Sequence, residues 1–194
     1  MIPTPSPPHP PRVVAVAGPS DAGKTTLVER LVPRLAETGR VGTIKPIHHE
    51  IEIDAPGTDT HRHRTAGADA VVGVTPTLTF DIEETGKRDP RSTGAAERAF
   101  GIERDHGDRR ELEALANALA RLERRKFDYV IVEGFAAAPL PTILVGDRSP
   151  DAIGGEVVGR GADDLEELLE TIRGLEPIQS VRSKSATDGD EPSA

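Results

Sequence analysis

The stretch Gly18-Pro-Ser-Asp-Ala-Gly23-Lys24-Thr25-Thr26 constrains this chain more than any other. It follows directly on the apolar run Val13-Val14-Ala15-Val16-Ala17 and opens a segment with Leu27, Leu31 and Leu35 in step. The apolar run reads as a buried strand, and the i, i+4 leucines as a helix with one inner face. Between them stands Gly-x-x-x-x-Gly-Lys-Thr, the P-loop pattern, placed after a strand and before a helix as that motif requires. The residue types follow from electrostatics. Gly18 and Gly23 let the backbone curl so that successive N–H groups face inward as a nest. The start of the following helix adds partial positive charge. Lys24 supplies a point charge for the β- and γ-phosphates, Thr25 a hydroxyl for Mg²⁺, and Thr26 a second hydroxyl near the α-phosphate. Pro19, Ser20, Asp21 and Ala22 complete the cradle. Asp21 sets a carboxylate close to phosphate and is expected to point outward. A glycine turn with an incidental lysine is the bland alternative, and the strand-loop-helix context argues against it.

Strand and helix signals alternate along the rest of the chain. A helix is expected over 24–38, with Pro33 inside it and Gly39 as C-cap. Strands are expected at 41–45, 70–74, 77–82, 129–132, 141–145 and 156–158, with a short one at 51–53. Helices are expected at 58–66, at 109–125 with Leu112, Leu115, Leu119 and Leu122 inward, and at 163–173 with Asp163 as cap. Residues 84–107, charged and glycine-rich, read as a flexible loop or lid. This alternation implies an α/β fold of P-loop NTPase type, a mostly parallel sheet with helices on both faces and a small strand extension. One nucleotide-binding domain spans 12–176. The leader 1–11 carries six prolines, and the tail 177–194 is polar and breaker-rich; both read as disordered.

Two further stretches carry chemistry. Residues 44–68, IKPIHHEIEIDAPGTDTHRHRTAGA, leave a strand where open α/β sheets place their ligands. Lys45, His48, His49, Asp54, Asp59, Arg62 and Arg64 crowd into this loop, a density that points to a site. Three readings stand side by side. One is a switch region beside the triphosphate, with Asp54 near Mg²⁺ or its water. Another is a solvated polar loop. The third is a transition-metal site using His48, His49, His61 and His63, whose spacing fits no zinc pattern well. The second stretch, Asp128-Tyr-Val-Ile-Val-Glu133-Gly134-Phe135, ends an apolar strand in an acid. In a parallel sheet Glu133 should lie beside the P-loop, where it can hold Mg²⁺ or orient a water. Lys24, Asp54 and Glu133 are the candidate catalytic groups, and Thr25, Asp54 and Glu133 the candidate metal ligands.

Taken in order, these blocks resemble the molybdopterin-guanine dinucleotide biosynthesis protein B (MobB) family over roughly residues 12–175. The P-loop is shared by very many proteins. The matching loop is more specific: Ile44-Lys45, His48-His49, Asp54-x-Pro56-Gly57-x-Asp59-Thr60, Arg64 and Ala66-Gly67-Ala68, with Glu133-Gly134-Phe135 later. Pro46 departs from the family, which often has histidine there. The resemblance implies a homodimeric GTP- and Mg²⁺-binding protein that hydrolyses GTP slowly. It also implies a partner, the guanylyltransferase that joins GMP to molybdopterin, with molybdopterin or an apo-molybdoenzyme as further contacts.

Composition sets the outer limits. A net charge of −9 argues against nonspecific duplex binding. No apolar run approaches a membrane span. With no cysteine there is no disulfide or thiolate metal site, which fits a cytoplasmic protein. The Asn-Lys-x-Asp run that reads guanine in many GTPases is absent, so GTP over ATP rests on the resemblance. Gly146-Asp147-Arg148, after a late strand, offers an acid for a guanine edge. A P-loop small-molecule kinase, a nucleotide-switched adaptor and a metal-insertion GTPase are the alternative functions. Arg62 and Arg64 are the candidates for an arginine finger.

Overall fold

A computed structural model describes residues 10–83, 94–101 and 109–178. Five strands form one parallel sheet: β1 (Arg12–Ala17), β2 (Val41–Ile44), β5 (Tyr129–Glu133), β6 (Thr142–Leu144) and β7 (Val157–Arg160). Their order is β2-β5-β1-β6-β7, and every pairing is parallel. Strand β1 lies in the middle, which is why its residues read as an unbroken apolar run. Its side chains alternate between two layers. Val14 and Val16 pack with Tyr129 and Ile131 of β5 against α1 (Lys24–Ala36) and α5 (Leu165–Gly174). Val13 and Ala15 pack with Val130 and Val132 on the opposite face against α4 (Arg109–Arg124). Leu27, Leu31 and Leu35 of α1, Leu168, Leu169 and Ile172 of α5, and Leu112, Leu115 and Leu119 of α4 fill these layers and are buried. Helices therefore cover both faces, as the alternation predicts.

The strand extension is the antiparallel pair β3 (Ala70–Val74) and β4 (Thr79–Glu83), a ribbon separate from the main sheet. It follows α2 (Asp59–Thr65), whose first turn is capped by the Thr58 hydroxyl. Arg121 of α4 ties the ribbon down by bridging Asp81 and Glu83, and Arg125 reaches the same Asp81 carboxylate.

Several local expectations change. Helix α1 stops at Ala36, and Gly39 is no left-handed cap; a side chain there would meet Asp128, whose Cβ lies 2.7 Å away. Residues 51–53 form no strand; the Glu52 carboxylate there accepts from Arg64 and from the Asp54 amide. Asp164, not Asp163, caps α5; Asp163 instead accepts from the Arg160 amide at 2.6 Å. Within the segment expected as a loop lies a helix, α3 (Ala95–Phe100). Residues 84–93 and 102–107 of that segment, the leader 1–9 and the tail from 179 fall outside the described residues. Helix α3 is held by the buried Glu113 of α4, whose carboxylate accepts from the Gly94, Ala95 and Ala96 amides at 2.8, 2.7 and 3.1 Å. No helix among the described residues is long and apolar enough to cross a membrane.

Candidate functional site

The carboxyl ends of β1, β5 and β2 meet at one edge, and the register decides which side chains gather there. Val16 of β1 pairs with Glu133, and Ile44 of β2 pairs with Val132. Gly18 thus leaves the sheet two steps beyond the level of Glu133, and Lys45, one step beyond Ile44, lies across from Glu133. The three chains converge on a cleft of about 760 Å³.

The P-loop has the shape its sequence predicts. Gly23 takes φ +93° and precedes the first turn of α1, and Asp21 takes φ +59°. A left-handed Asp is tolerable where few other side chains are. Asp21 is exposed and lies on the cleft wall. Gly18 is required by proximity, because any side chain there would run into the Val145 carbonyl. The Lys24 ammonium crosses the loop and donates to the carbonyls of Gly18, at 3.1 Å, and Pro19. Gly18, Pro19, Ser20, Asp21, Gly23, Lys24, Thr25 and Thr26 all line the cleft. Ala22 does not; it packs beneath, with Gly146 near its Cβ.

Facing the loop, Glu133 is nearly buried and accepts two hydrogen bonds on one oxygen. Thr25 Oγ1 donates to Oε1 at 3.0 Å and Lys45 Nζ to the same atom at 2.6 Å. A hydroxyl and a carboxylate side by side at the mouth of a P-loop make an all-oxygen donor pair, the chemistry Mg²⁺ takes. The residues present fit that ion and a nucleoside triphosphate. Gly134 follows with φ +94°, and Phe135 with φ +53°. Pro46 fills the space a Gly134 side chain would need, its Cγ 2.8 Å from that position. The departure from the family thus packs against the Glu-Gly-Phe turn.

Of the remaining loop candidates, Lys45 and His48 reach the cleft. His48 Nδ1 is 3.9 Å from Glu111 of α4, a distance for attraction only when the imidazole is charged. His49, Asp54, Asp59, Arg62 and Arg64 do not line it. Asp54 accepts from Thr58 Oγ1 at 3.0 Å, and hydrogen bonds from the Thr60 and Thr58 hydroxyls hold its carboxyl below the usual value. Arg64 pairs with Glu52 and holds that carboxyl low, while Arg62 lies 3.7 Å from Asp59. These charges are spent inside the loop. Among the described residues no three His, Asp or Glu side chains converge as metal ligands. His61 lies instead 3.8 Å from Glu52. Two cleft residues carried no sequence signal strong enough to single them out: Glu111, in the first turn of α4, and Arg148, in the loop after β6.

The family model for Molybdopterin guanine dinucleotide synthesis protein B matches residues 13–102, which include the P-loop and the histidine loop. Over that segment the chain is similar to the MobB family. It is 29% identical over 134 residues to the molybdopterin-guanine dinucleotide biosynthesis adapter protein of Escherichia coli, covering 69% of this chain and 64% of that one. It is 33% identical over 134 residues to the adapter protein of the same name from Haemophilus influenzae, covering 69% and 62%. The chain thus matches somewhat less than two thirds of the length of these relatives. In fold it is similar to the crystal structure of Bacillus subtilis MobB, with a TM-score of 0.55 and 18% identity over 84% of this chain and 99% of that one.

Proposed function

We propose that this chain binds Mg-GTP in the cleft at the end of β1 and acts as an adapter in molybdopterin guanine dinucleotide synthesis. In this reading it works in the cytoplasm as a homodimer beside the guanylyltransferase that adds GMP to molybdopterin. The observation that carries it is the Thr25–Glu133 hydrogen bond at the mouth of the P-loop, because it brings together two of the oxygen donors that a bound Mg²⁺ would take. The names of the relatives, both biosynthesis adapter proteins, support the pathway.

Thr25 and Glu133 would hold the ion, which neutralises charge between the phosphate oxygens when bound. Lys24 leaves its loop carbonyls for the β- and γ-phosphates. The backbone N–H groups of residues 20–25 would donate to the remaining phosphate oxygens. Glu133 would orient a water, and Lys45 pairs with its carboxylate. Arg62 and Arg64 are paired within their own loop and do not line the cleft, so neither serves as an arginine finger, and slow GTP turnover is expected. The lining of the cleft leaves Asp54 with a structural part in the turn before α2.

Calorimetry tests the reading. Lys24→Ala should abolish measurable Mg-GTP binding while thermal unfolding stays unchanged. Wild-type affinity in that variant would end the assignment. Co-purification with the guanylyltransferase, lost in the same variant or independent of it, then tells whether nucleotide gates the contact.

A further inference from the structure

The geometry points to Arg148 as the residue that selects the base, by donating to the acceptor edge of guanine. The inference rests on nucleotide binding in the P-loop, and it concerns the opposite end of the cleft.

The sheet order sets the two ends. Strand β5 lies on one side of β1 and β6 on the other. Glu133, at the end of β5, marks the metal and terminal phosphate end through its bond to Thr25. A triphosphate laid along the P-loop from there leads toward the segment that follows β6. That segment packs tightly on the P-loop. The Val145 carbonyl occupies the place a side chain on Gly18 would take, and a Cβ on Gly146 would sit 3.1 Å from Ala22 Cβ and 3.4 Å from Pro19 Cδ. Gly146 takes φ +76°, turning the chain so that Arg148 comes to the cleft wall. Asp147 does not line the cleft. The acid expected there from sequence is thus replaced by its neighbour.

The chemistry of a guanidinium then decides what it can read. It has five N–H donors in a rigid fork and no acceptor. Arg148 is half-buried as a residue, and one of its guanidinium donors reaches the Ala152 carbonyl at 3.5 Å, the long limit of a hydrogen bond, on the exposed side. Guanine presents O6 and N7 as adjacent acceptors, which suit a bidentate fork. Adenine presents N7 beside an N6 donor, which repels it. Arg148 would therefore favour guanine without the Asn-Lys-x-Asp run and without touching N1 or the 2-amino group.

This predicts an unusual ranking of analogues. Inosine triphosphate, which keeps O6 and N7, should bind as GTP does. The 7-deaza analogue of GTP should bind about tenfold or more weakly, in line with the loss of one bidentate contact. Equilibrium binding with GTP, ATP, these two analogues and inorganic tripolyphosphate, each with Mg²⁺, supplies the test on the full chain. Arg148→Ala and Arg148→Lys should both lose the preference for GTP over ATP while tripolyphosphate binding is unchanged, which also shows that the variants fold. If tripolyphosphate weakens as much as GTP in Arg148→Ala, Arg148 is a phosphate ligand and the assignment falls, with nucleotide binding left standing. Strong discrimination against inosine triphosphate would overturn it too, since that signature belongs to an acid on N1 and the 2-amino group. If the wild type binds neither tripolyphosphate nor any nucleotide, the P-loop reading itself fails, and this one with it.

Discussion

Single residues carry opposite lessons about legibility. Lys24, Thr25 and Glu133 were readable because each sits at a position whose neighbours in sequence fix its place: a loop between strand and helix, or the last residue of a central strand. Asp54, Arg62 and Arg64 were not, because Thr58, Asp59 and Glu52 lie close enough to capture them locally, and spacing cannot rank those bonds against the cleft. The Gly134–Pro46 contact shows what two distant residues can impose on each other. Gly134→Ala places a Cβ in a left-handed backbone and 2.8 Å from Pro46 Cγ. The backbone part alone costs about 1–2 kcal/mol. Pro46→Ala removes the steric part and leaves the backbone part. The double variant should therefore be more stable than the sum of single losses predicts, by about 0.5 kcal/mol or more in denaturant unfolding. Strict additivity would show that the turn tolerates the clash. At the mouth of the cleft, Asp21→Gly removes a negative charge and keeps a residue suited to φ +59°. Mg-GTP should bind more tightly in that variant at low salt, and the gain should shrink as salt rises; equal affinity at both salts would place Asp21 out of reach of the phosphates.

Elements were legible where their side chains have one period and one partner layer. Strands β1, β2 and β5 and helices α1, α4 and α5 appear within a few residues of their expected bounds, since each fills the core. Helix α3 was hidden, because its six residues owe their shape to a carboxylate on another helix. The β3–β4 ribbon shows a third case, strands visible by alternation but docked by charge. Hydrogen bonding to Arg125, with the charges of Arg121 and Arg125, holds the Asp81 carboxyl below its ordinary value, against the opposing effect of burial. Such a group adds stability above the pKa it has in the unfolded chain, about 3.9, and that stability is lost as pH falls through the lower folded value. The ribbon should loosen before the main sheet as pH drops below about 4. Asp81→Asn should reproduce this at neutral pH. Hydrogen exchange would read it: faster amides in 70–83, unchanged amides in β1 and β5. Uniform loosening across both sheets would show that Asp81 supports the whole fold and not the ribbon alone.

At the scale of the whole molecule, one edge of the sheet carries the candidate cleft and another region carries exposed apolar surface. Val72, Val74 and Leu78 of the ribbon are exposed at 61%, 76% and 59%, although Val71 beside them is buried. Alternation along β3 turns Val72 and Val74 to the same side, so the exposure is a face and not scattered residues. A chain of net charge −9 meets a second copy against its own repulsion, and an apolar face is the means of overcoming it. If the proposed homodimer forms here, Val74→Asp should shift sedimentation from dimer to monomer, because a buried unpaired carboxylate costs more than a contact of this size returns. No residue of the ribbon lines the P-loop cleft, so Mg-GTP affinity should stay unchanged in the same variant. A dimer that survives Val74→Asp would move the interface elsewhere. A monomer that also loses nucleotide would mean that the second copy completes the cleft, and the binding unit would then be the pair.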